Sequence, residues 1–332
     1  MTEIKWGIIG CGDVTEKKSG PAFNKVQGSE LVAVMRRDAV KAEDYAHRHS
    51  VPRWYDDAEK LIADPEVNAI YVATPPDTHA EYAVKAMKAG KPVYVEKPMA
   101  RNYVECLEMI SAAEKHNVSL FVAYYRRALP GFLKVKELIE QGAIGKVQLV
   151  SLRLHKNLKP TTGDDLPWRV IPEIAGGGHF VDLAAHQLDF LDFLFGPVSN
   201  IQANVANLGK RYEAEDTITA SFQFEQGMLG SCSWAFNVPD AAEEDVMEFI
   251  GDAGKIVFSC FNVVPVQLYN QSGRNEFTYT NPENIQFNLI NKVVGELQGK
   301  DECPSTGRSA ARTSWVMDEV LSMYYHKERG ER

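Results

Sequence analysis

Three side chains in this 332-residue sequence are the candidates for proton transfer. Asp182 and His186 stand four positions apart in a stretch with a helical apolar pattern, so both are predicted on one face of a helix. Because an imidazole titrates near neutral pH, His186 is predicted to accept a hydroxyl proton, and Asp182 to orient the substrate or stabilise the charged ring. Lys97 is predicted to hold the reacting oxygen.

Lys97 follows Glu96 at the end of an apolar run. Neighbouring side chains on an extended strand point to opposite faces, so Glu96 and Lys97 cannot both face one site while the strand stays regular. Lys97 is the better catalytic candidate, because an ammonium group that loses water near another positive charge gives up its proton more readily. The division of proton transfer between Lys97 and His186 stays open.

A metal site is the alternative use of the same helix. His179, Asp182 and His186 are spaced i, i+3 and i+7, which permits zinc ligation. Since neither a His-Glu-x-x-His motif nor a cysteine cluster accompanies them, no metal is predicted, and His179 is expected either to contact the substrate or to support a residue that does.

A glycine turn follows the first apolar run, in the order Gly10, Cys11, Gly12, Asp13, Val14, Thr15. Glycines at this place allow a tight turn and let a pyrophosphate approach backbone N–H groups, so Gly10, Gly12, Asp13 and Val14 are predicted to bind a dinucleotide. The second run ends in Arg36 and Arg37 rather than in an acidic residue. Paired guanidinium donors suit a 2′-phosphate, which favours NADP(H) and leaves NAD(H) possible.

The elements that must position these residues fall into two domains. Residues 1–123 alternate apolar runs with helical patterns, which predicts an α/β Rossmann domain with a parallel sheet. Residues 124–332 are predicted as an α+β domain for substrate binding and oligomerisation, with a large, mainly antiparallel sheet and a helix over His179–Phe195. A cleft is expected between the domains.

Composition excludes several classes of protein. A net charge of −9 without a basic cluster argues against a nucleic-acid partner. No apolar run is long enough to cross a membrane, and the first residues leave no room for a secretory signal. Five scattered cysteines without a Cys-x-x-Cys pair suit a reducing compartment, so a cytoplasmic location is expected.

Three further stretches are specific in order and spacing: Ala73–His79, Gly90–Pro98, and Gly176–His179 leading to Asp182 and His186. With them the sequence resembles the glucose-fructose oxidoreductase, inositol dehydrogenase and rhizopine-catabolism (Gfo/Idh/MocA) family over nearly its whole length. The resemblance implies a Rossmann domain followed by an open-faced sheet. It also implies that residues of the segments 74–79 and 96–97 contact the cofactor, and that a separate set of residues contacts the substrate. The cofactor residues are Thr74, Pro75, His79, Glu96 and Lys97; the substrate residues are Tyr125, Trp168, Arg169, His179, Asp182 and His186.

The expected function is hydride transfer between a nicotinamide cofactor and an alcohol or carbonyl carbon of a sugar, polyol or cyclitol. Two alternatives stay open: a dinucleotide-dependent glycoside hydrolase, and a non-catalytic sensor of dinucleotide or sugar. A homodimer or homotetramer is expected to form through the second sheet, whose aromatic residues are predicted to be exposed; these are Phe222, Phe224, Trp234 and Phe236. Further polar residues are expected to line the pocket, namely His155, Lys156 and Asn237.

Overall fold

The structure is a computed structural model that describes residues 2–158 and 166–330. Its strands are β1 (Ile4–Ile9), β2 (Ser29–Met35), β3 (Arg53–Tyr55), β4 (Ala69–Val72), β5 (Val93–Val95), β6 (Leu120–Val122), β7 (Val147–His155), β8 (Val198–Ala206), β9 (Thr217–Phe224), β10 (Leu229–Ala235), β11 (Glu244–Gly251), β12 (Gly254–Phe258), β13 (Val266–Asn270) and β14 (Gly273–Phe277).

Its α-helices are α1 (Asp13–Lys17), α2 (Gly20–Lys25), α3 (Ala39–Arg48), α4 (Ala58–Ala63), α5 (His79–Lys88), α6 (Tyr103–His116), α7 (Pro130–Glu140), α8 (Pro172–Ala175), α9 (His179–Phe195), α10 (Phe287–Leu297) and α11 (Gly307–Gly330). Within the described part of the chain, each of these helices is too short or too polar to cross a bilayer.

The first of two compact units comprises Met1–Ala128 and Pro282–Ala311. Its sheet has the order β3-β2-β1-β4-β5-β6, and every neighbouring pair is parallel. The strands β4 and β5 are buried along their whole length, as expected for apolar strands that helices cover on both faces. The predicted Rossmann domain is confirmed.

Helix α10 returns the chain to this first unit. Its apolar residues Leu289, Ile290 and Val293 belong to the same buried cluster as Trp6 and Tyr71. The sequence had predicted that residues 124–332 form a single second domain. The difference arises because the apolar stripe of α10 needs a core to cover it, and the side chains that do so are almost the whole chain length away.

The second unit comprises Leu129–Asn281 and Arg312–Arg332. Its sheet has the order β14-β13-β12-β11-β7-β10-β9-β8. All neighbouring strands are antiparallel except β7 and β10, which run parallel because α9 and two further strands intervene between them along the chain. The predicted α+β architecture with a mainly antiparallel sheet is confirmed.

Helix α9 covers one face of this sheet through aromatic contacts. The rings of Phe180 and Trp234 lie 5.0 Å apart, and those of Phe195 and Phe224 lie 5.4 Å apart. The prediction that Phe222, Phe224, Trp234 and Phe236 are exposed is therefore wrong, since all four are buried. Side chains alternate between faces along a strand, and these four belong to the face that the helix covers.

The apolar runs in the sequence do not predict the strands β3, β8 and β14. Each of these is an edge strand of its sheet, so it needs fewer buried side chains than an inner strand. The segment β14 reads Gly-Arg-Asn-Glu-Phe and is exposed apart from Phe277, so it pairs with β13 without an apolar pattern.

Candidate active site

The glycine turn lies directly after β1 and is tied to the end of β2. The backbone N–H groups of Gly10 and Cys11 both donate to the carbonyl oxygen of Met35, at 2.9 and 3.1 Å. Gly10 has a φ of +93°, and a Cβ atom there would lie 2.8 Å from the backbone nitrogen of Thr74. Only glycine fits this position, because both the conformation and the close approach of the next loop exclude a side chain.

Gly12, in contrast, borders open space. Among the described residues outside its immediate chain neighbours, a Cβ atom on Gly12 would meet only the carbonyl oxygen of Gly10, 3.9 Å away. The turn therefore leaves the room that a pyrophosphate requires beside the backbone, and the residues present fit a dinucleotide. Behind the turn, the Thr15 hydroxyl donates to the carbonyl oxygen of Gly12 at 2.7 Å and stabilises the bend.

Arg36 follows β2 and reaches back to the glycine turn. Its Nη1 donates to the carbonyl oxygen of Cys11 at 3.3 Å, and the side chain is half-buried. Arg37 is exposed, while Asp38 caps α3 by accepting the N–H of Lys41. Asp38, the first acidic residue after β2, is thus used to cap a helix, and the guanidinium group of Arg36 lies beside the glycine turn.

The loop after β4 is fastened to the loop after β5 by His79. This buried ring has Nε2 at 2.7 Å from the carbonyl oxygen of Thr74 and Nδ1 at 3.0 Å from that of Pro98. Burial lowers the pKa of His79, so the ring is neutral at neutral pH and donates to one of the two carbonyl groups. Both ring nitrogens face backbone, and the side chain holds Thr74 and Pro75 next to the segment that contains Lys97.

Glu96 and Lys97 lie just beyond β5 in different surroundings. Glu96 is buried, where it accepts hydrogen bonds from the Tyr71 hydroxyl, from Gln286 Nε2 at 2.6 Å and from the backbone N–H of Lys97 at 3.1 Å. The Lys97 side chain is half-buried. Glu96 therefore fixes the backbone on which the ammonium group is carried.

These loops share one edge of the first sheet. Gly10–Val14 follow β1, Arg36 follows β2, Thr74 follows β4 and Lys97 follows β5. Because all these strands are parallel, the carboxyl ends of the strands, and hence the loops, lie at the same edge. In open α/β sheets this is the edge at which ligands bind.

The second unit places the remaining predicted groups on or beside α9. His186 is buried on this helix, and its ring lies 6.1 Å from the ring of Phe261. The helical pattern places Asp182, His186 and Asp189 on one polar arc, which predicts that this arc faces water or a polar cleft. Asp189 is nevertheless buried, and so is Asp192, whose carboxylate accepts two hydrogen bonds from Arg312 of α11 at 2.6 and 2.8 Å.

Gln187 is the one polar residue on the apolar stripe that Ala184, Leu188 and Leu191 form along α9. It is fully buried, and its Oε1 accepts the indole N–H of Trp234 at 2.9 Å. A polar residue occurs at this apolar position because it accepts the hydrogen bond of Trp234, which lies beneath the helix.

The first turn of α9 carries His179 and Asp182. The ring of His179 lies 5.7 Å from each of the rings of Tyr212 and Phe236, and burial lowers its pKa. Asp182 accepts a hydrogen bond from Arg169 Nε at 3.2 Å. The guanidinium carbon of Arg169 in turn lies 4.3 Å from the centre of a Trp168 ring. Predicted substrate residues are thus together here.

The residues whose spacing permits zinc ligation, His179, Asp182 and His186, do not form a metal site in the described part of the chain. In the ranges 2–158 and 166–330, no group of three His, Cys, Asp or Glu side chains has a geometry that could hold an ion.

Other predicted residues lie elsewhere. Tyr125 packs against the core of the first unit. His155 accepts from or donates to Ser233 at 2.9 Å and lies near Glu244, on the sheet face opposite α9, so it does not join the α9 group. Lys156 pairs with Glu243 at 3.7 Å. Asn237 donates to Asp216 at 3.2 Å.

Two buried side chains near the predicted groups were missed from the sequence. Gln286 supports Glu96 from a position 190 residues away. Glu215 accepts the N–H of Gly178, the residue before α9, at 2.8 Å. Neither residue belongs to a motif; the only local signal is that Glu215 and Asp216 form an acidic pair directly before a strand.

The parallel sheet and the glycine turn after its first strand define a dinucleotide-binding Rossmann domain joined to a second, sheet-based unit. Comparison with protein families agrees with this class. Residues 4–124 match the family described as "Oxidoreductase family, NAD-binding Rossmann fold", and residues 132–257 match the Gfo/Idh/MocA C-terminal domain.

Known proteins are similar over most of the chain. "Oxidoreductase P35" of Formosa agariphila is 39% identical over 319 residues, which is 96% of this chain and 98% of that protein. A trans-1,2-dihydrobenzene-1,2-diol dehydrogenase of Danio rerio is 28% identical, with 87% of this chain and 84% of that protein covered. A levoglucosan dehydrogenase in complex with NADH and L-sorbose has the same fold, with a TM-score of 0.88, 22% identity, and coverage of 98% and 97%.

The chain belongs to the Gfo/Idh/MocA oxidoreductase family, as its motifs had indicated. It is a dehydrogenase-type enzyme with a NAD-binding Rossmann fold.

Proposed function

We propose that the protein transfers a hydride between NADP(H) and a secondary alcohol or carbonyl carbon of a sugar, polyol or cyclitol. One observation carries the proposal: the glycine turn, Arg36 and Lys97 all follow parallel strands at one edge of the first sheet. Such an edge brings a cofactor cradle and a proton-handling ammonium group together.

The preference for NADP(H) is supported by Arg36. Its guanidinium group bonds to the backbone of the glycine turn, and the exposed Arg37 follows it. A charged fork at the end of β2 matches a 2′-phosphate, whereas a ribose 2′-hydroxyl is usually held by an acidic side chain at that position. Asp38 already caps α3.

When bound, a nicotinamide supplies the carbon that takes up or returns the hydride. During alcohol oxidation the carbon–hydrogen bond breaks with its electron pair, the hydroxyl group loses a proton, and a carbonyl group forms. Lys97 would hold the reacting oxygen by a hydrogen bond. His186 would accept the hydroxyl proton, because imidazole is the side chain that most often serves as a general base. Glu96 and His79 would fix the backbone that carries Lys97.

The substrate class is supported by the surroundings of the first turn of α9. A charged pair, Asp182 with Arg169, lies beside the ring of Trp168, and the ring of Tyr212 lies 5.7 Å from that of His179 in the same helical turn. Hydroxyl groups can bond to the charged pair, and the apolar faces of a saturated ring can pack on the partly exposed rings of Trp168 and Tyr212. Related proteins bear the names of a cyclic-diol dehydrogenase and a levoglucosan dehydrogenase, which supports a ring with neighbouring hydroxyl groups.

A homodimer or homotetramer through the open face of the second sheet is also proposed. This face carries exposed leucines on adjacent strands: Leu149 on β7 is paired in register with Leu229 on β10, and Ile250 of β11 lies beside Leu149. An apolar row on a sheet face favours burial by a second copy. A cytoplasmic location is proposed as well, since all five cysteines are buried free thiols.

The test is a spectrophotometric screen of sugars, polyols and cyclitols with NADP⁺ and NAD⁺, followed by nicotinamide absorbance. We expect net reduction of cofactor with at least one cyclic substrate, and higher kcat/KM with NADP⁺. Cleavage of a glycoside without net change in absorbance would instead indicate a hydrolase. Tight cofactor binding with neither reaction would indicate a sensor.

A further inference from the structure

Glu215 is the carboxylate that the second unit buries most completely next to α9, and it lies outside the proposed reaction. Its Oε1 accepts the N–H of Gly178 at 2.8 Å, and its other oxygen accepts the hydroxyl of Tyr325 at 2.5 Å. Gly178 is the residue directly before α9, and Tyr325 lies on α11. One side chain thus connects the start of one helix to another helix.

The glycines before α9 are shaped around this carboxylate. A Cβ atom on Gly178 would lie 2.7 Å from the carbonyl oxygen of Glu215 and 3.3 Å from its Oε1. A Cβ atom on Gly177 would lie 2.6 Å from Val181 Cγ2 and 3.2 Å from Oε1. At Gly178 the backbone of Glu215 occupies the space where a side chain would stand, and at Gly177 the carboxylate of Glu215 adds to the crowding from Val181.

A second tyrosine of α11 contacts the backbone of the segment 212–215, which contains Glu215. Tyr324 donates from its hydroxyl to the carbonyl oxygen of Glu213 at 3.1 Å. The segment also carries Tyr212, whose ring lies against His179. The two ends of this segment, Tyr212 and Glu215, therefore contact the first turn of α9 and the glycine directly before it.

We infer that Glu215, held by Tyr325, is a positioning residue that fixes the first turn of α9 and thereby the places of His179 and Asp182. The consequence for turnover rests on the proposed function, because it requires that groups on α9 act on the substrate. The consequence for the turn itself does not depend on any substrate.

The charge of Glu215 makes the arrangement sensitive to pH. Burial raises the pKa of Glu215 from 4.5 to about 7, a rise to which Asp216 contributes and which the bonds from Tyr325 and Gly178 oppose. Among the described residues, the hydroxyls of Tyr212 and Tyr325 also interact electrostatically with Glu215. Since the closed state holds the proton more tightly than an opened one, the stability that this group contributes is present below pH 4.5 and is lost as pH rises through about 7.

The test is hydrogen–deuterium exchange of the amides of residues 177–182 in the full-length protein, without substrate and corrected for intrinsic rates. In the wild type we expect protection to fall about tenfold between pH 6 and 8. Glu215→Gln keeps an acceptor for Gly178 but cannot ionise, so protection should be independent of pH over this range. Tyr325→Phe removes a bond that lowers the pKa, so the fall should become several-fold larger.

Glu215→Ala should raise exchange in this peptide about tenfold, the usual effect of one lost buried hydrogen bond. Glu213→Gln is the matched control, because its side chain is exposed two positions away, and it should leave exchange unchanged. With a substrate from the screen, Glu215→Ala should lower kcat at least fivefold while leaving cofactor affinity unchanged, and Glu215→Gln should restore kcat.

Unchanged exchange in Glu215→Ala, or the wild-type pH dependence in Glu215→Gln, would overturn the inference. Raised exchange with unchanged turnover would support the positioning of the turn but contradict the proposed role of α9 in the reaction.

Discussion

Replacing Gly12 with alanine tests where the dinucleotide lies. Gly12 has φ −131° and ψ −159°, an extended conformation that alanine adopts without strain. The added Cβ atom has one neighbour, 3.9 Å away, among the described residues beyond those adjacent in the chain. We therefore expect the free energy of unfolding to change by less than about 0.5 kcal/mol. The methyl group would, however, fill space that the pyrophosphate needs.

Gly10→Ala is the matched variant in which the fold itself should suffer. A non-glycine residue in the left-handed region costs about 1–2 kcal/mol. The Cβ atom would also lie 2.8 Å from the Thr74 backbone nitrogen, which cannot rotate away as a side chain can. A loss of about 2–4 kcal/mol follows, which corresponds to a fall in Tm of roughly 5–15 °C.

Isothermal titration with NADPH and NADH, together with thermal unfolding, measures both effects. Gly12→Ala should keep the wild-type Tm and bind both cofactors at least about tenfold more weakly, a change of about 1.4 kcal/mol. Equal weakening is expected because the pyrophosphate is common to both. If Gly12→Ala binds either cofactor with wild-type affinity, the pyrophosphate does not lie against this turn.

Three further predictions address the cofactor, the reaction and the assembly. Arg36→Ala should weaken NADPH binding by roughly tenfold to a hundredfold, the value of a charged hydrogen bond, and NADH binding by less than about threefold; equal losses in calorimetric titrations would remove the 2′-phosphate assignment. His186→Ala should lower kcat by about 10²–10⁴ in steady-state assays with a substrate from the screen, the usual value of a positioned proton-transfer group. Asp182→Asn should be milder, because an amide oxygen still accepts from Arg169; a larger loss for Asp182→Asn would reverse the two roles. Leu229→Glu should convert an oligomer into monomers in sedimentation velocity at micromolar concentration, whereas a wild-type monomer, or an unchanged assembly in the variant, would exclude this face.

Apolar periodicity and glycine positions in the sequence predicted those elements whose structure depends on neighbouring residues. The inner strands of the first sheet are continuous apolar runs, and α9 begins after a glycine triplet and ends before Gly196, so the predicted range matches the structure. The edge strands β3, β8 and β14 bury too little to produce such a pattern. The helix α10 did have an apolar period in the sequence, but its place in the first unit depends on distant residues.

The candidate site likewise contains residues that the sequence predicts and residues that it does not. The glycine turn, Arg36 and Lys97 are visible as motifs because each follows a strand of a parallel sheet. The burial of His186 was not predictable from a helical wheel, since polar residues on one arc of a helix are ordinarily assigned to solvent. The supports of the site, Gln286 below Glu96 and Glu215 below Gly178, join segments far apart in the chain and leave no periodic signal.

The central claim is that Lys97 acts on the chemical step and contributes little to cofactor affinity. Its most direct test is the single-turnover rate of hydride transfer, measured by stopped-flow absorbance at saturating NADP⁺ in the wild type and in Lys97→Met. We predict a rate lower by about 10²–10⁴ in the variant, the usual value of a positioned proton-transfer group, with the Kd for NADPH changed by less than about threefold. A hydride-transfer rate within about twofold of the wild type, at full cofactor occupancy, would contradict the account.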